Sequence, residues 1–315
     1  MREKDGYVEI LIDSYEEFIE LIRPDRKNLQ SYLQVASSRL LYRGHSDDSW
    51  KLESSLFRKN SHFDVYKDLF HNLYNAHLSK LRSFVQACDK NGVVIPYDSK
   101  KFREKILNTN KDSDLINKII SDSTVAPSDE LYELLALAQH YGVATELLDW
   151  SYSPLVACLF MVLGVIDKGD IEGKMSLWIF NPELRNLLNS SEEPNIFEIV
   201  EVPKGFNRNI AAQDGCFTLV RQKMGNHQKL NWCESEQRFK TIKLLNELIA
   251  EKGIREMLLK ITVPKKLAAD IFKYCEAYGV TLALLYGGAE GAAKYANAIF
   301  ALDSFKSKLS ECAKE

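Results

Sequence analysis

The chain has 315 residues, 45% of them hydrophobic and 27% charged, a balance that buries a large core and excludes a disordered chain. Its net charge of -3 excludes a uniformly basic nucleic-acid binder. Between Glu201 and Lys243, however, eight Lys or Arg stand against four acids, a local charge of +4. That region is either a surface for nucleic acid or an ordinary solvated surface.

The sequence carries the features of a cytoplasmic protein with no membrane partner. The apolar stretch Leu155 to Val165 is far shorter than the roughly 20 residues that cross a bilayer. The N-terminus is charged where a signal peptide needs an apolar segment. Six cysteines are scattered without a CxxC pair, so we expect reduced thiols packed as small hydrophobes and no metal site.

The first predicted elements are a strand, a cap and a helix. Val8 to Ile12 alternates like a strand, and Asp13 and Ser14 lead into the helical period of YEEFIELI. The run LLYRG then predicts a strand that ends at Arg43 and Gly44. Arg43 is therefore expected at the end of a strand.

Residues 62–118 are rich in helix formers and charge, with an apolar stripe through Tyr66, Leu69 and Leu73. This pattern predicts an all-helical insertion that packs beside a sheet and contributes little to any chemistry. Two further helices are expected at Leu131 to His140, stopped by Gly142, and at Leu155 to Val165.

The remaining chain predicts a sheet with two helices. Short β-rich runs follow one another as MSLWIF, FEIVEV, GCFTLV, MLLKITV and VTLALLY. The helices are expected at Arg238 to Lys252 and Lys265 to Tyr278. Since no repeat or Pro/Gly-rich linker marks a boundary, we expect one domain over residues 1–315. Its fold class is α/β (α+β), a mixed sheet with flanking helices and the helical insertion.

Three ordered motifs carry a family resemblance. The first is Tyr42-Arg43-Gly44-His45-Ser46, followed by Trp50, Leu52, Ser55, Leu56 and Arg58. The second is AQHYGVATELLDWS at residues 138–151, followed by Ser153, Pro154, Ala157 and Phe160, and the third is AQDGCFT at residues 212–218. Together they resemble the FRG domain family. Glu146 departs from the family's usual Arg, and Leu285-Tyr286-Gly287-Gly288 departs from its usual ending.

A looser similarity links the chain to ADP-ribosyltransferases of the Arg-Ser-Glu class. The shared features are a strand-terminal Arg, a Ser-containing strand that runs into a helix, and a polar residue on a later strand. This resemblance implies an ADP-ribosyltransferase-like sheet, NAD as cofactor, and a nucleic-acid or protein acceptor. It also implies a toxin or phage-defence effector, with an antitoxin or inhibitor protein as a possible partner.

The resemblance implies catalytic roles for Arg43, Ser151, Gln213 and Asp149. A guanidinium offers donors to phosphate or ribose oxygens, although Arg43 could instead pair with Asp149. The transition state is a cationic ribose that a glutamate normally stabilises. Gln213 carries no charge, so the acid would be Asp149, Glu146 or Glu290. We predict that Arg43, Ser151, Asp149 and Gln213 converge on one cleft.

Cofactor-binding roles are implied for Arg43, Gly44, His140, Trp150 and Ser153, each with a structural alternative. Ser151 and Ser153 could orient a ribose or cap the helix that has Pro154 at its first position. His140 could form an acid-base pair with Asp149 or be a satisfied structural histidine. Trp150 could stack on a base or fill a core. The alternative function is a non-catalytic module that binds a nucleotide, nucleic acid or protein.

Overall fold

A computed structural model of the chain describes residues 2–4, 6–23, 29, 32–33, 39–58, 69–107, 112–206, 208–225, 228–233, 235 and 238–312. Its strands are β1 (Arg2–Lys4), β2 (Tyr7–Leu11), β3 (Leu41–His45), β4 (Leu148–Ser151), β5 (Lys174–Phe180), β6 (Phe197–Val200), β7 (Gly215–Val220), β8 (Trp232–Cys233), β9 (Arg238–Phe239) and β10 (Leu258–Pro264).

The α-helices of the described residues are α1 (Tyr15–Ile22), α2 (Phe70–Lys90), α3 (Lys100–Leu107), α4 (Asp112–Ser121), α5 (Tyr132–His140), α6 (Pro154–Lys168), α7 (Arg208–Ala212), α8 (Leu245–Lys252), α9 (Ala268–Ala277), α10 (Leu282–Tyr286) and α11 (Gly288–Cys312). Within these residues, no helix combines the length and the apolarity that a membrane span requires.

One eight-stranded mixed sheet with flanking helices organises the chain, as the composition and pattern predict. Its strand order is β1-β2-β10-β5-β3-β4-β7-β6, and β8 pairs with β9 in a separate ribbon. β10 runs parallel to β2, and the other pairs recorded in the sheet are antiparallel. β3 and β4 are therefore neighbours near the middle, with β7 directly beyond β4.

Three cores cover the two faces of this sheet. On the front face, Tyr42 and Ile179 pack with α1, α6, α9 and α11 in what we call the α6 core. Further along the same face, Phe217 and Leu219 pack with α2 and α5 in the α2 core. On the back face, Leu41, Trp150 and Trp178 pack with α8 in the back core. The alternation of strand residues between faces produces this division.

Most local predictions are confirmed. Val8 to Ile12 matches β2, and the Ser14 hydroxyl caps α1 by accepting a bond from the Glu17 amide at 3.4 Å. The predicted helices at 131–140 and 155–165 match α5 and α6. Lys265 to Tyr278 is a short 3-10 turn that continues into α9.

Three predictions are wrong. Arg43 lies in the middle of β3 and not at its end, because the strand continues through Gly44 to His45. VTLALLY is not a strand, because the Thr281 hydroxyl caps a helix there and the Leu-Ala-Leu-Leu run continues as α10. The helix predicted at 238–252 begins only at Leu245, while Arg238 and Phe239 form β9. The Glu247 carboxylate accepts a hydrogen bond from the Leu244 amide at 2.9 Å and so fixes the start of α8 after β9.

The insertion predicted at residues 62–118 contains α2, α3 and most of α4, and residues 62–68 and 108–111 lie outside the described part. Its described residues carry no strand, although Leu69 makes an isolated bridge to Lys229. The apolar stripe of α2 packs in the α2 core beside β7, as its periodicity predicts. His77 of α2 contacts Glu146 of the second motif, and the expectation that this region contributes little to the chemistry stays a prediction.

Candidate functional site

The predicted site residues meet at a boundary between the two front cores. Tyr42 of the α6 core faces Ser151 across the β3–β4 pair, and Phe217 of the α2 core faces Asp149 across the β4–β7 pair. Directly opposed residues of an antiparallel pair point to the same face. Asp149 and Ser151 therefore occupy a strip of β4 between the two cores, which we call the seam.

Arg43 reaches the seam from the back face. The alternation of β3 directs Arg43 to the same side as Leu41, yet its Nη1 donates to the Asp149 backbone oxygen at 2.7 Å. The same Nη1 lies 2.8 Å from the Asp149 Oδ2. The guanidinium thus adds a bridge between β3 and β4 next to their Tyr42–Ser151 pair.

Asp149 offers an ionised carboxylate to solvent. Its side chain is 63% exposed, whereas that of Arg43 is 9% exposed. Desolvation alone would raise the pKa of Asp149, but the charge and hydrogen bond of Arg43, with a further contribution from Arg58, hold it below its ordinary value. Partial desolvation and the nearby Arg43 in turn lower the pKa of Arg58, whose side chain still reaches solvent, against the opposing charges of Asp149 and Glu53. The carboxylate therefore keeps its charge at neutral pH.

A hydrogen-bond chain orients the other carboxylate oxygen. Gln139, at the end of α5, donates to Asp149 Oδ1 at 3.2 Å and accepts a short bond from the Thr145 hydroxyl. The Thr145 amide donates to Ser55 Oγ at 2.9 Å. Residues from the first and second family motifs are thereby tied together around Asp149. Neither Gln139 nor Thr145 was assigned a role from the sequence, although both lie inside the second motif.

His140 lies on the far side of the seam and does not pair with Asp149. Its Nε2 accepts a hydrogen bond from the Asn209 amide, and its ring centre is 6.2 Å from that of Tyr286. Burial, aided by Lys294 and opposed by Glu290, lowers the pKa of His140. Since a donor occupies its Nε2, the imidazole is neutral, and the acid-base pair with Asp149 is replaced by the structural alternative.

Tyr286 and Asn209 belong to the site but carried no sequence signal. The phenol of Tyr286 has a raised pKa because it is buried and close to the charges of Glu290 and Asp149. Lys294 lies 4.5 Å from the centre of its ring. Tyr286 falls in the segment that was wrongly predicted as a strand, and Asn209 lies in a five-residue helix. Only the tertiary fold brings these residues to the seam.

The hydroxyls of Ser151 and Ser153 form hydrogen bonds with backbone atoms. The Ser151 hydroxyl donates to the Gln213 backbone oxygen at 2.6 Å and accepts from the Ser153 amide at 2.9 Å. Ser153 caps α6, with Pro154 at the first helical position. Gln213 therefore lies beside Ser151, so Arg43, Asp149, Ser151 and Gln213 are all brought to β3, β4 and the start of β7. Their catalytic roles stay predictions.

Packing explains Gly44 and Trp150 without a ligand. A Cβ on Gly44 would lie 2.1 Å from the Ala157 oxygen, so the missing side chain lets α6 pack closely against β3. Trp150 is 4% exposed, packs in the back core and donates through Nε1 to the Thr218 hydroxyl at 2.9 Å. The cofactor-binding roles of these two residues stay predictions.

Glu146 is removed from the seam by α2. Its carboxylate is buried, and its Oε1 lies 3.0 Å from His77 Nδ1. Glu146, which departs from the Arg of the FRG resemblance, therefore has His77 of the facing helix α2 as its partner. Glu146 is not available as the acid of the site, which leaves Asp149 and the exposed Glu290 of α11.

The basic region predicted between Glu201 and Lys243 has half of its eight cations in ion pairs among the described residues. Four of its cations form ion pairs with acids, namely Lys204, Arg221, Lys223 and Lys243. Arg221 is buried beside a cleft of about 1000 Å³ along β6, where Glu198, Thr124, Pro127 and Tyr132 take up its donors. The buried cation of this cleft is engaged by these four acceptors.

The fold and the seam define a mixed α/β protein with a carboxylate site between two helical layers. Residues 38–168 match the model of the FRG domain, a match that covers less than half of the chain. The match covers the first two motifs, whereas the third motif at 212–218 lies beyond it. No curated protein matches the chain, and no solved structure matches it either. Since β3 and β4 share their sheet with strands outside the match, the FRG segment is one part of a larger folded unit.

Proposed function

We propose that the chain is an NAD-dependent ADP-ribosyltransferase that modifies a nucleic acid or a protein, with Asp149 as the acid of its site. The observation that carries this proposal is the exposed, ionised carboxylate of Asp149, fixed at the seam by Arg43 and Gln139. A carboxylate held in place by the protein stabilises positive charge without reorganising during the reaction. Asp149 thereby supplies the charge that Gln213 lacks.

The arrangement of the strands supports the same proposal. β3, β4 and β7 are adjacent, and they bring Arg43, Ser151 and Gln213 together in the order expected for the Arg-Ser-Glu class. NAD supplies an ADP-ribosyl group whose bond to nicotinamide breaks as positive charge develops on the ribose. Arg58, which lies close to Asp149 and has an exposed side chain, is the cation best placed for a phosphate.

The groups around Asp149 suit the remaining tasks. His140 can take the proton that the acceptor loses only when its Nε2 gives up the hydrogen bond from the Asn209 amide. The ring of Tyr286 offers an apolar surface for nicotinamide at the edge of the seam. We extend the proposal to a toxin or phage-defence effector in the cytoplasm, with an antitoxin or inhibitor protein as partner.

The second candidate is a non-catalytic binding module for a nucleotide, nucleic acid or protein. It is favoured by the engagement of Arg43 and Ser151, because both side chains are buried and already bonded to backbone atoms. In this function Asp149 would accept a hydrogen bond from the ligand and Gln139 would donate one to it, and the ligand would stay intact. The weak basic surface between residues 201 and 243 gives a nucleic-acid ligand little support.

Incubation with NAD labelled on the adenylate phosphate separates the two candidates. Purified chain and its Asp149→Asn variant would be mixed with total RNA, DNA and protein, and the labelled fraction identified. We expect label on one acceptor class with the wild type and at least a tenfold loss with Asn, which keeps the shape but not the charge. Absence of label with the wild type, together with saturable ligand binding, would favour the binding module.

A further inference from the structure

We propose that His45 is a positioning residue for this site, because its neutral ring fixes the Arg43 guanidinium between β3 and β4. Protonation of His45 would release that guanidinium and so disconnect Asp149 in acid. Its consequence for activity rests on the proposed function, whereas the contact between the two side chains does not. His45 stands two residues after Arg43 in the first motif and was given no role from the sequence.

The hydrogen bond between the two side chains fixes the protonation of the ring. Arg43 Nε lies 3.0 Å from His45 Nε2, and an arginine Nε is only ever a donor. His45 Nε2 must therefore present its lone pair, which places the single ring proton on Nδ1. The ring is 1% exposed, with edge contacts to Trp50 at 5.9 Å and Trp178 at 6.4 Å between ring centres. The imidazole is therefore held in one orientation.

The surroundings of His45 oppose a second proton. Burial lowers its pKa well below the ordinary value, and the charges of Arg43, Arg58 and Lys260 lower it further. The backbone of Trp50 acts in the opposite direction and favours protonation. Burial lowers the pKa of Lys260, whereas Glu9, whose carboxylate lies 3.6 Å from Nζ, acts to raise it. The facing groups from β3, β10 and the segment after β3 are thus mainly cations.

The consequence for the seam follows from the shape of arginine. A guanidinium is a planar fork, so the bond from Nε sets the direction in which Nη1 approaches Asp149. Protonated His45 would turn a donor toward a donor and add a like charge beside Arg43. The bonds from Nη1 to the Asp149 backbone and carboxylate would then be lost together. Asp149 would retain its charge but not its orientation.

Nitrogen-15 NMR of the full chain tests the contact without NAD. We expect His45 to show an unprotonated Nε2 and a protonated Nδ1 at neutral pH, and the Arg43 Nε proton to be protected from exchange. His45→Leu should speed exchange of that proton at least tenfold, whereas His71→Gln on α2 should leave it unchanged. A protonated Nε2, or unchanged exchange in a folded His45→Leu variant, would overturn the proposal.

The pH profile of nicotinamide release supplies the second readout. His45→Gln keeps an acceptor for Arg43 but does not titrate, so the acid limb assigned to His45 should disappear from the profile. A merely structural His45 would leave the limb in place and change only the melting temperature. If the wild type releases no nicotinamide at neutral pH, the proposed function fails, and the spectra alone then decide the role of His45.

Discussion

Replacing Arg43 with alanine separates its structural role from its role in binding a ligand. The variant loses three contacts, one to His45 Nε2 and two to Asp149, and leaves the Asp149 backbone oxygen without this donor. An orphaned backbone acceptor costs roughly 1 to 3 kcal/mol, whereas an ion pair to a carboxylate that is 63% exposed contributes at most about 1 kcal/mol. We therefore expect a loss of about 2 to 4 kcal/mol in the free energy of unfolding.

Urea unfolding of the purified variant measures this loss, and Arg43→Lys is the matched control. Lysine keeps the charge but cannot reach His45 and Asp149 with one planar fork, so its loss should be smaller but still measurable. A loss below about 0.5 kcal/mol in the alanine variant would refute the bridging role of Arg43. In the Arg43→Ala variant, nicotinamide release per folded molecule should fall at least tenfold. Normal release by this variant in its folded state would refute the ligand role of Arg43.

Three further predictions concern packing, a buried pair and pH. Gly44→Ala should cost roughly 1 to 3 kcal/mol in urea unfolding, because its Cβ would meet the Ala157 oxygen at 2.1 Å, while Gly205→Ala should be neutral. His77→Leu should lower the free energy of unfolding by about 3 to 5 kcal/mol, because it leaves the buried Glu146 carboxylate without His77. Adding Glu146→Leu should recover most of that loss. Equal losses in the single and the double variant would contradict the pairing. Because the pKa of His45 is lowered in the folded state, the unfolded chain binds more protons below about pH 6.5, so stability should fall as pH drops from there. His45→Gln should remove part of that slope, and an unchanged slope would contradict the assignment.

The elements that could be predicted from sequence are those with a local signal. Ser153 and Pro154 marked the start of α6, and Ser14 marked the start of α1, because caps act within one turn. VTLALLY carried a cap as well, Thr281, but its β-branched and leucine residues fit a strand as well as a helix, so the cap alone did not decide. There the tertiary contacts of α10 with α11 and the α6 core decided the outcome.

The candidate site was predictable only in part. The motifs supplied Arg43, Asp149, Ser151 and the neighbourhood of Gln213, and the adjacency of β3, β4 and β7 brings them together. The residues that each of these side chains contacts could not be predicted, because the contacts depend on the face of the sheet that each side chain occupies. Arg43 crosses between strands, Trp150 enters the back core, and Glu146 is captured by His77. These outcomes require the register of the sheet and the position of α2.

Nicotinamide release from NAD, measured on the wild type and on Asp149→Asn in one preparation, tests the central claim most directly. The wild type should release nicotinamide above the rate without protein, and the asparagine variant should be slower by about a hundredfold with its NAD affinity changed far less. The pair of results would assign Asp149 to the transition state. Equal rates in the two proteins, or no release by the wild type, would contradict the assignment of Asp149 as the acid of an ADP-ribosyltransferase.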